Sequence, residues 1–321
     1  MANQYHLIGW KEVIEDIFGN KTFYLLSEDQ NGKVNGILPL SRLKSLLFGN
    51  FIVSLPYFNY GGICTEGNGI KNQLLEESIK IAKTEGASFI ELRETSSSEG
   101  RLPEKVAKVS MRLSLPGTPD DLWGGFPSKL KSQIKRPLKE GIITRIGREE
   151  ELDSFYQVFS MNMKCLGTPV YPKRFFKKIL DIFPDSTWIC SAYKGKNPIA
   201  AGFLVGFKNI LEIPWASSLR NFNRFSPNML LYWETLKFAI KKSFLEFDFG
   251  RSTQGEGTYK FKEQWGGKPV PLYWHYWLKN GEKIPDLNPK NPKFQMAISI
   301  WRRLPLFITQ WIGPYIVKKL P

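Results

Sequence analysis

The sequence predicts a mixed α/β (α+β) protein in which two units of similar strand–helix order follow one another. Three features carry that expectation. Short apolar runs alternate with turn residues, longer segments place apolar residues at helical spacing, and the order hairpin, strand, helix, strand recurs in kind in the second half. The expected organisation is a first unit over residues 1–117, a second over 118–280 that opens with a basic helix, and a basic amphipathic tail over 281–321.

Residues 10–18 show helical spacing. Residues 22–27 and 34–43 read as strands joined by the turn dipeptide Asn31-Gly32. A third apolar run, 48–55, leads into a loop of aromatic and turn residues, 56–62. Leu74, Leu75, Ile79 and Ala82 mark an amphipathic helix over 68–85. Residues 88–93 read as a buried strand and 106–115 as another, closed by Pro116-Gly117.

Residues 118–141 read as one basic helix, with Asp120 and Asp121 supplying negative charge at its start. Lys129, Lys131, Lys135, Arg136 and Lys139 crowd onto it. Leu130, Ile134 and Leu138 form a separate apolar stripe. Two readings stand: a solvated face, or a clamp for phosphates or an RNA backbone. Further on, 142–146 reads as a strand, 149–166 and 172–183 as helices, and 187–193 with 198–207 as a hairpin about Gly195. Residues 209–216 read as a strand. Residues 227–242 read as a helix, with Ser226 as N-cap and Pro227 in the first turn. Residues 246–249 form a strand, 259–265 a short helix and 271–277 a last strand. Residues 294–304 suit an amphipathic helix.

Composition narrows the function classes. The 321 residues hold 45 Lys and Arg against 30 Asp and Glu, a net charge of +15, and are 42% hydrophobic. That is globular rather than disordered, and the charge favours an anionic partner such as RNA, a phosphate-bearing substrate or an anionic membrane face. Three scattered cysteines and no CxxC argue against a zinc cluster, and their odd number suits a reducing compartment. Only His6 and His275 are available to a histidine-dependent triad. His275 lies in an aromatic strand and reads as a packing residue. No secretory signal opens the chain. The uncharged run 45–65 is rich in Gly, Asn and Pro, and 304–317 is too short to span a bilayer, so a cytoplasmic protein is expected. Trp301, Arg302, Arg303, Trp311, Lys318 and Lys319 suit docking of the tail on an anionic membrane and equally suit packing on the protein body.

The segment that carries chemistry is 247–269. A strand ends in Asp248-Phe249-Gly250-Arg251-Ser252. A loop with Gly255 and Gly257 comes next, then Tyr259-Lys260-Phe261-Lys262-Glu263 on a short helix. Glycines let amides approach a ligand, and Lys or Arg can hold a phosphate or an oxyanion. The spacing is not that of a Walker A loop, and Asp248-Phe249-Gly250 lacks the other elements of a kinase.

Asp248–Ser252, the stretch 257–266, the basic helix 129–141 and the loop 56–62 together resemble the FemABX-related proteins. The nearest branch is the FemAB-like proteins associated with exosortase (PEP-CTERM) and exopolysaccharide loci. The resemblance covers nearly the whole chain, including 302–321. It implies tandem GCN5-related N-acetyltransferase (GNAT) domains, each a mixed sheet flanked by helices. It also implies transfer of amino acids from aminoacyl-tRNA, with a Phe-Lys pair that helps stabilise the transition state. Here the matching pair is Phe261 and Lys262. Arg251 is a second candidate for oxyanion charge and Asp248 a candidate base. For substrate binding the candidates are Tyr57, Asn59 and Tyr60 in the loop, Lys129, Lys131 and Arg136 on the basic helix, Arg220 and Arg224, and Tyr259. No bound cofactor or metal is expected, the donor being a co-substrate.

One departure bears on the donor. Acetyl-CoA enzymes of this fold carry a Gly-rich turn before the long helix, whose amides bind the pyrophosphate. The matching stretch here, 220–228, has no glycine, and Pro227 removes an amide. Three readings remain: an acyl- or aminoacyltransferase forming an amide on a cell-envelope or exopolysaccharide precursor, an N-acyltransferase using acyl-CoA or acyl carrier protein, and a non-catalytic binding protein.

Overall fold

The computed structural model describes residues 2–46, 48–97, 102–281, 283–285 and 292–320, with the side chains of 292–294 undescribed. Part of the expected tail, residues 282, 286–291 and 321, lies outside these. In chain order the elements are α1 Gly9–Phe18, β1 Thr22–Glu28, β2 Val34–Ser45, β3 Gly49–Val53, β4 Cys64–Thr65, α2 Asn68–Thr84, β5 Phe89–Glu94 and β6 Glu104–Ser114. Next come α3 Pro119–Gly125, α4 Ser128–Lys139, β7 Ile142–Gly147, α5 Leu152–Leu166, α6 Lys173–Ile182, β8 Thr187–Lys194, β9 Asn197–Phe207 and β10 Ile210–Ser218. The chain closes with α7 Pro227–Lys241, β11 Glu246–Ser252, α8 Gly257–Glu263, β12 Lys268–Leu278, α9 Pro292–Arg303 and α10 Leu306–Val317. Contacts divide it into two compact units: Met1–Val109 with Val270–Pro292 and Tyr315–Pro321, and Ser110–Pro269 with Lys293–Pro314.

In the first unit the strand order is β1-β2-β3-β5-β12, with β4 on β2. All pairs are antiparallel except β3 and β5, which run parallel through Ile52↔Ile90 and Val53↔Glu91. Strand alternation sends Leu38, Leu40, Ile52, Ile90 and Leu92 to one face, where α2 covers them with Leu74 and Ala82. Leu43, Phe51, Val53, Phe89 and Tyr276 take the opposite face. The turn expected at Asn31-Gly32 is present, with Gly32 at φ 75°. His275 is 1% exposed in β12, the packing position expected of it.

The second unit repeats the plan. Its strand order is β6-β11-β10-β9-β8-β7, antiparallel from β7 to β10, with one parallel pair, β10 and β11, joined through α7. Phe203 faces α5 and α6, where it meets the rings of Phe155 and Phe176 at 5.6 Å each. Cys190 points the other way, with its thiol against the Leu231 carbonyl of α7. Two layers of helix therefore sandwich the sheet.

The single helix expected over 118–141 is two helices, α3 and α4, broken at Phe126 and Pro127. Proline drives the residue before it out of the helical region, and Phe126 sits at φ −77°, ψ 141°. Ser226 does precede α7 and Pro227 opens it. However, Ser226 is left-handed (φ 54°) and its side chain makes no capping bond, so the expected N-cap is positional only.

Candidate active site

The site is assembled where β10 and β11 part. Their parallel ladder runs from Ile210↔Glu246 to Glu212↔Asp248. Just beyond, the register of β10 against β9 shifts between Glu212 and Trp215, so Ile213 and Pro214 together oppose Leu204. Pro214 has no amide to donate, which suits a point where pairing stops. Glu212 and Asp248 both lie fully buried at the last rung.

Asp248 organises the end of β11. Its carboxylate accepts hydrogen bonds from Ser110 Oγ, from the Gly250 amide at 2.7 Å and from Arg112 Nε at 3.2 Å. Arg112 also reaches Glu246 at 3.2 Å. Gly250, at φ 74°, turns the strand in a conformation that disfavours a side chain. The carbonyls of Gly250 and Arg251 then each accept a 2.9 Å bond from Lys262 Nζ.

Lys262 lies on α8 and is 7% exposed. Burial pulls its ammonium down to about 8, opposed by the negative charge of Asp248 and Glu212 and assisted by the Arg251 guanidinium. An ammonium has three N–H donors, and the two carbonyls take two of them. The third has no partner among the described residues. The turn after α8 is built to hold this position: Gly267 donates to the Lys262 carbonyl, and a Cβ at Gly267 would lie 2.9 Å from that oxygen. Phe261 sits edge-on to Tyr232, ring centres 5.1 Å apart. Trp265, 1% exposed, meets Phe126 at 5.6 Å. These rings fix α8 against α7 and the start of α4. Tyr259 is half-buried on the same short helix.

The basic helix α4 lines a depression of about 590 Å³ with Ser128, Lys131, Ser132, Gln133, Lys135, Arg136 and Lys139. Lys131 donates to the Gly124 carbonyl at 3.1 Å, and Lys131 and Lys135 lie 6.0 and 5.6 Å from the Trp123 ring centre. Lys129 is exposed on the same helix but does not line the depression. Arg220 and Arg224 are exposed on a 3-10 turn before α7, with Arg224 stacked 4.6 Å from Phe225.

Tyr57, Asn59 and Tyr60 belong to the first unit. Tyr60 is 4% exposed and meets Tyr5 edge-on at 5.3 Å. Tyr57 is half-buried, and its hydroxyl joins Asn20 to the Lys318 carbonyl. Packing accounts for both rings without a ligand. His6 is similarly occupied: its Nδ1 accepts from the Asn3 amide and its Nε2 bonds the Gly62 carbonyl, while burial lowers its pKa.

Sequence reading missed Glu212, Arg112 and Ser110. Glu212 carried a signal, being the one charged residue in the strand Ile210–Ser218. Arg112 and Ser110 meet Asp248 across more than 130 residues and left none.

Residues 126–263 match the acetyltransferase (GNAT) domain family. The match lies within the second unit, over α4 to α8. Among solved structures, FemX aligns at 14% identity and TM-score 0.66, covering 87% of this chain and 93% of its own. The C-terminal domain of a putative lysylphosphatidylglycerol synthetase from Agrobacterium fabrum aligns at 12% and 0.59, covering 85% and 87%. A tandem GNAT protein from the clavulanic acid biosynthesis pathway aligns at 10% and 0.51, covering 83% and 85%. No curated protein matches the sequence. The tandem GNAT-like fold that the resemblance implies is the fold observed.

Proposed function

We propose that the protein transfers an aminoacyl group from aminoacyl-tRNA to an amine of a cell-envelope or exopolysaccharide precursor, at the cytoplasmic face of the membrane. The observation that carries this reading is the buried Lys262 ammonium, held by two backbone carbonyls with one N–H to spare.

In this reading the acceptor amine attacks the carbonyl carbon of the donor ester. The tetrahedral oxyanion that forms accepts the remaining N–H of Lys262, a charged donor in a buried position. When the intermediate collapses, the carbon–oxygen bond to the tRNA ribose breaks and the amide remains. The proton lost by the amine goes to the departing ribose hydroxyl, so no histidine is needed. Asp248 and Glu212 act as fixed charges that keep Lys262 protonated. The bonds that Asp248 accepts from Ser110, Gly250 and Arg112 suit this role better than that of a base. Phe261 sets the orientation of α8 through Tyr232. The exposed cations of α4 offer contacts to the tRNA backbone.

The segment before α7 supports a donor other than acyl-CoA. It is a 3-10 turn without glycine, Pro227 has no amide, and the Met229 amide is spent on the Ser226 carbonyl at 3.0 Å. The test is to supply the protein with aminoacyl-tRNA or acyl-CoA in turn and follow amide formation on an extract of envelope precursors. Transfer from charged tRNA that ribonuclease abolishes is expected. Thiol release from acyl-CoA at a comparable rate would contradict the tRNA donor.

A further inference from the structure

The C-terminal helices carry a row of exposed large apolar side chains. The inward face of α10 holds Thr309, 1% exposed, Val317, 6% exposed, and Gly313, packed so tightly that a Cβ would lie 2.9 Å from the Val170 amide nitrogen. Gln310 donates to Ser160 Oγ at 2.9 Å. A row of large apolar residues nonetheless points outward. Phe307 and Trp311 are 69% and 72% exposed at four-residue spacing, and Tyr315 continues the row. On α9, Met296 and Ile300 are likewise exposed, four residues apart. A helix against a protein body ordinarily turns its large apolar side chains inward, and clustered exposed apolar residues mark an interaction surface.

Charge identifies the occupant. Six Lys and Arg and no Asp or Glu follow Asp286. Of these, Arg302 and Arg303 are exposed at the end of α9, with Arg302 donating to the Leu166 carbonyl at 3.1 Å. At 12 residues each, α9 and α10 are too short to cross a bilayer, and among the described residues no helix is long and apolar enough to do so. Apolar and aromatic rings flanked by unopposed cations suit a helix pair lying in the headgroup region of an anionic membrane. There Phe307 reaches the acyl boundary, and the amphipathic indole of Trp311 stays at the interface. We infer that the outer face of α9 and α10 docks the protein on an anionic lipid surface. Such docking depends on the tail alone and stands whether or not the acyl-transfer reading holds.

The test is co-sedimentation of the full chain with vesicles of phosphatidylcholine, with and without phosphatidylglycerol. Binding to the anionic vesicles only, weakened by salt, is expected. Phe307→Ala and Trp311→Ala should each lower the partition coefficient about tenfold or more. Both side chains are exposed, so thermal melting should be unchanged, which separates lost docking from lost folding. Failure to bind anionic vesicles overturns the inference. So does binding that both substitutions leave intact, or a dimer that the same substitutions dissolve in the absence of vesicle binding.

Discussion

Lys262 is a charged group kept in a place where charge is costly, and the titration of the site reflects that. Its pKa is lowered to about 8 against an ordinary value of 10.5. If the ammonium stabilises the oxyanion, the transfer rate falls as pH rises through about 8, and the fall is absent from what activity remains in Lys262→Met. The stability effect has the opposite slope. Between about 8 and 10.5 the unfolded chain binds a proton at this lysine that the folded chain does not, so folding gains stability as pH rises through that window. The melting temperature of the wild type should therefore rise relative to Lys262→Met between pH 7 and pH 10. A constant difference would mean that Lys262 titrates normally. The neighbouring glycine is equally specific. Gly267→Ala pushes a methyl to within 2.9 Å of the Lys262 carbonyl oxygen. We expect it to destabilise by about 1–3 kcal/mol in chemical denaturation and to lower transfer activity by displacing α8.

At the scale of elements, the site depends on β6, β11 and α8 being locked together through Asp248. Arg112 spans Asp248 and Glu246 from β6. Arg112→Met removes the cation bonded directly to the buried Asp248 carboxylate. The cost should fall below the roughly 3–5 kcal/mol of a fully buried pair, because Arg112 keeps some exposure. The variant should also lose activity, since the turn at Gly250 hangs on the same carboxylate. Helix α4 makes a different prediction. Lys135→Gln with Arg136→Gln should weaken tRNA binding and reduce its salt dependence by up to two phosphate contacts, with little effect on folding, because both side chains are exposed. An unchanged salt slope in filter binding would leave α4 a solvated face.

Across the whole molecule, the features legible in the sequence were local. Period-two and helical spacing located the hairpins and helices, because each strand and helix buries one face of its own residues. The β7 strand and the long helix α7 were expected within a residue or two of their observed bounds. The break at Phe126 and Pro127 was written in the sequence, but the charge pattern running through it read as one helix. The Asp248–Ser252 and Phe261–Lys262 motifs meet in the folded chain through the bonds of Lys262 to the Gly250 and Arg251 carbonyls. Nothing in Gly257–Glu263, a polar stretch, showed that Lys262 would be buried, because that depends on carbonyls set by a turn at Gly250. Glu212 and Arg112 escaped for the same reason, as their meaning lies in partners far away in the chain.

The central claim is that the Lys262 ammonium stabilises the transition state of aminoacyl transfer. It is tested most directly by single-turnover transfer of a labelled amino acid from charged tRNA to envelope precursors at pH 7, comparing the wild type with Lys262→Met. Loss of one charged oxyanion donor should slow transfer by about 10²–10³-fold with tRNA affinity unchanged. Transfer by the variant at the wild-type rate would contradict the claim.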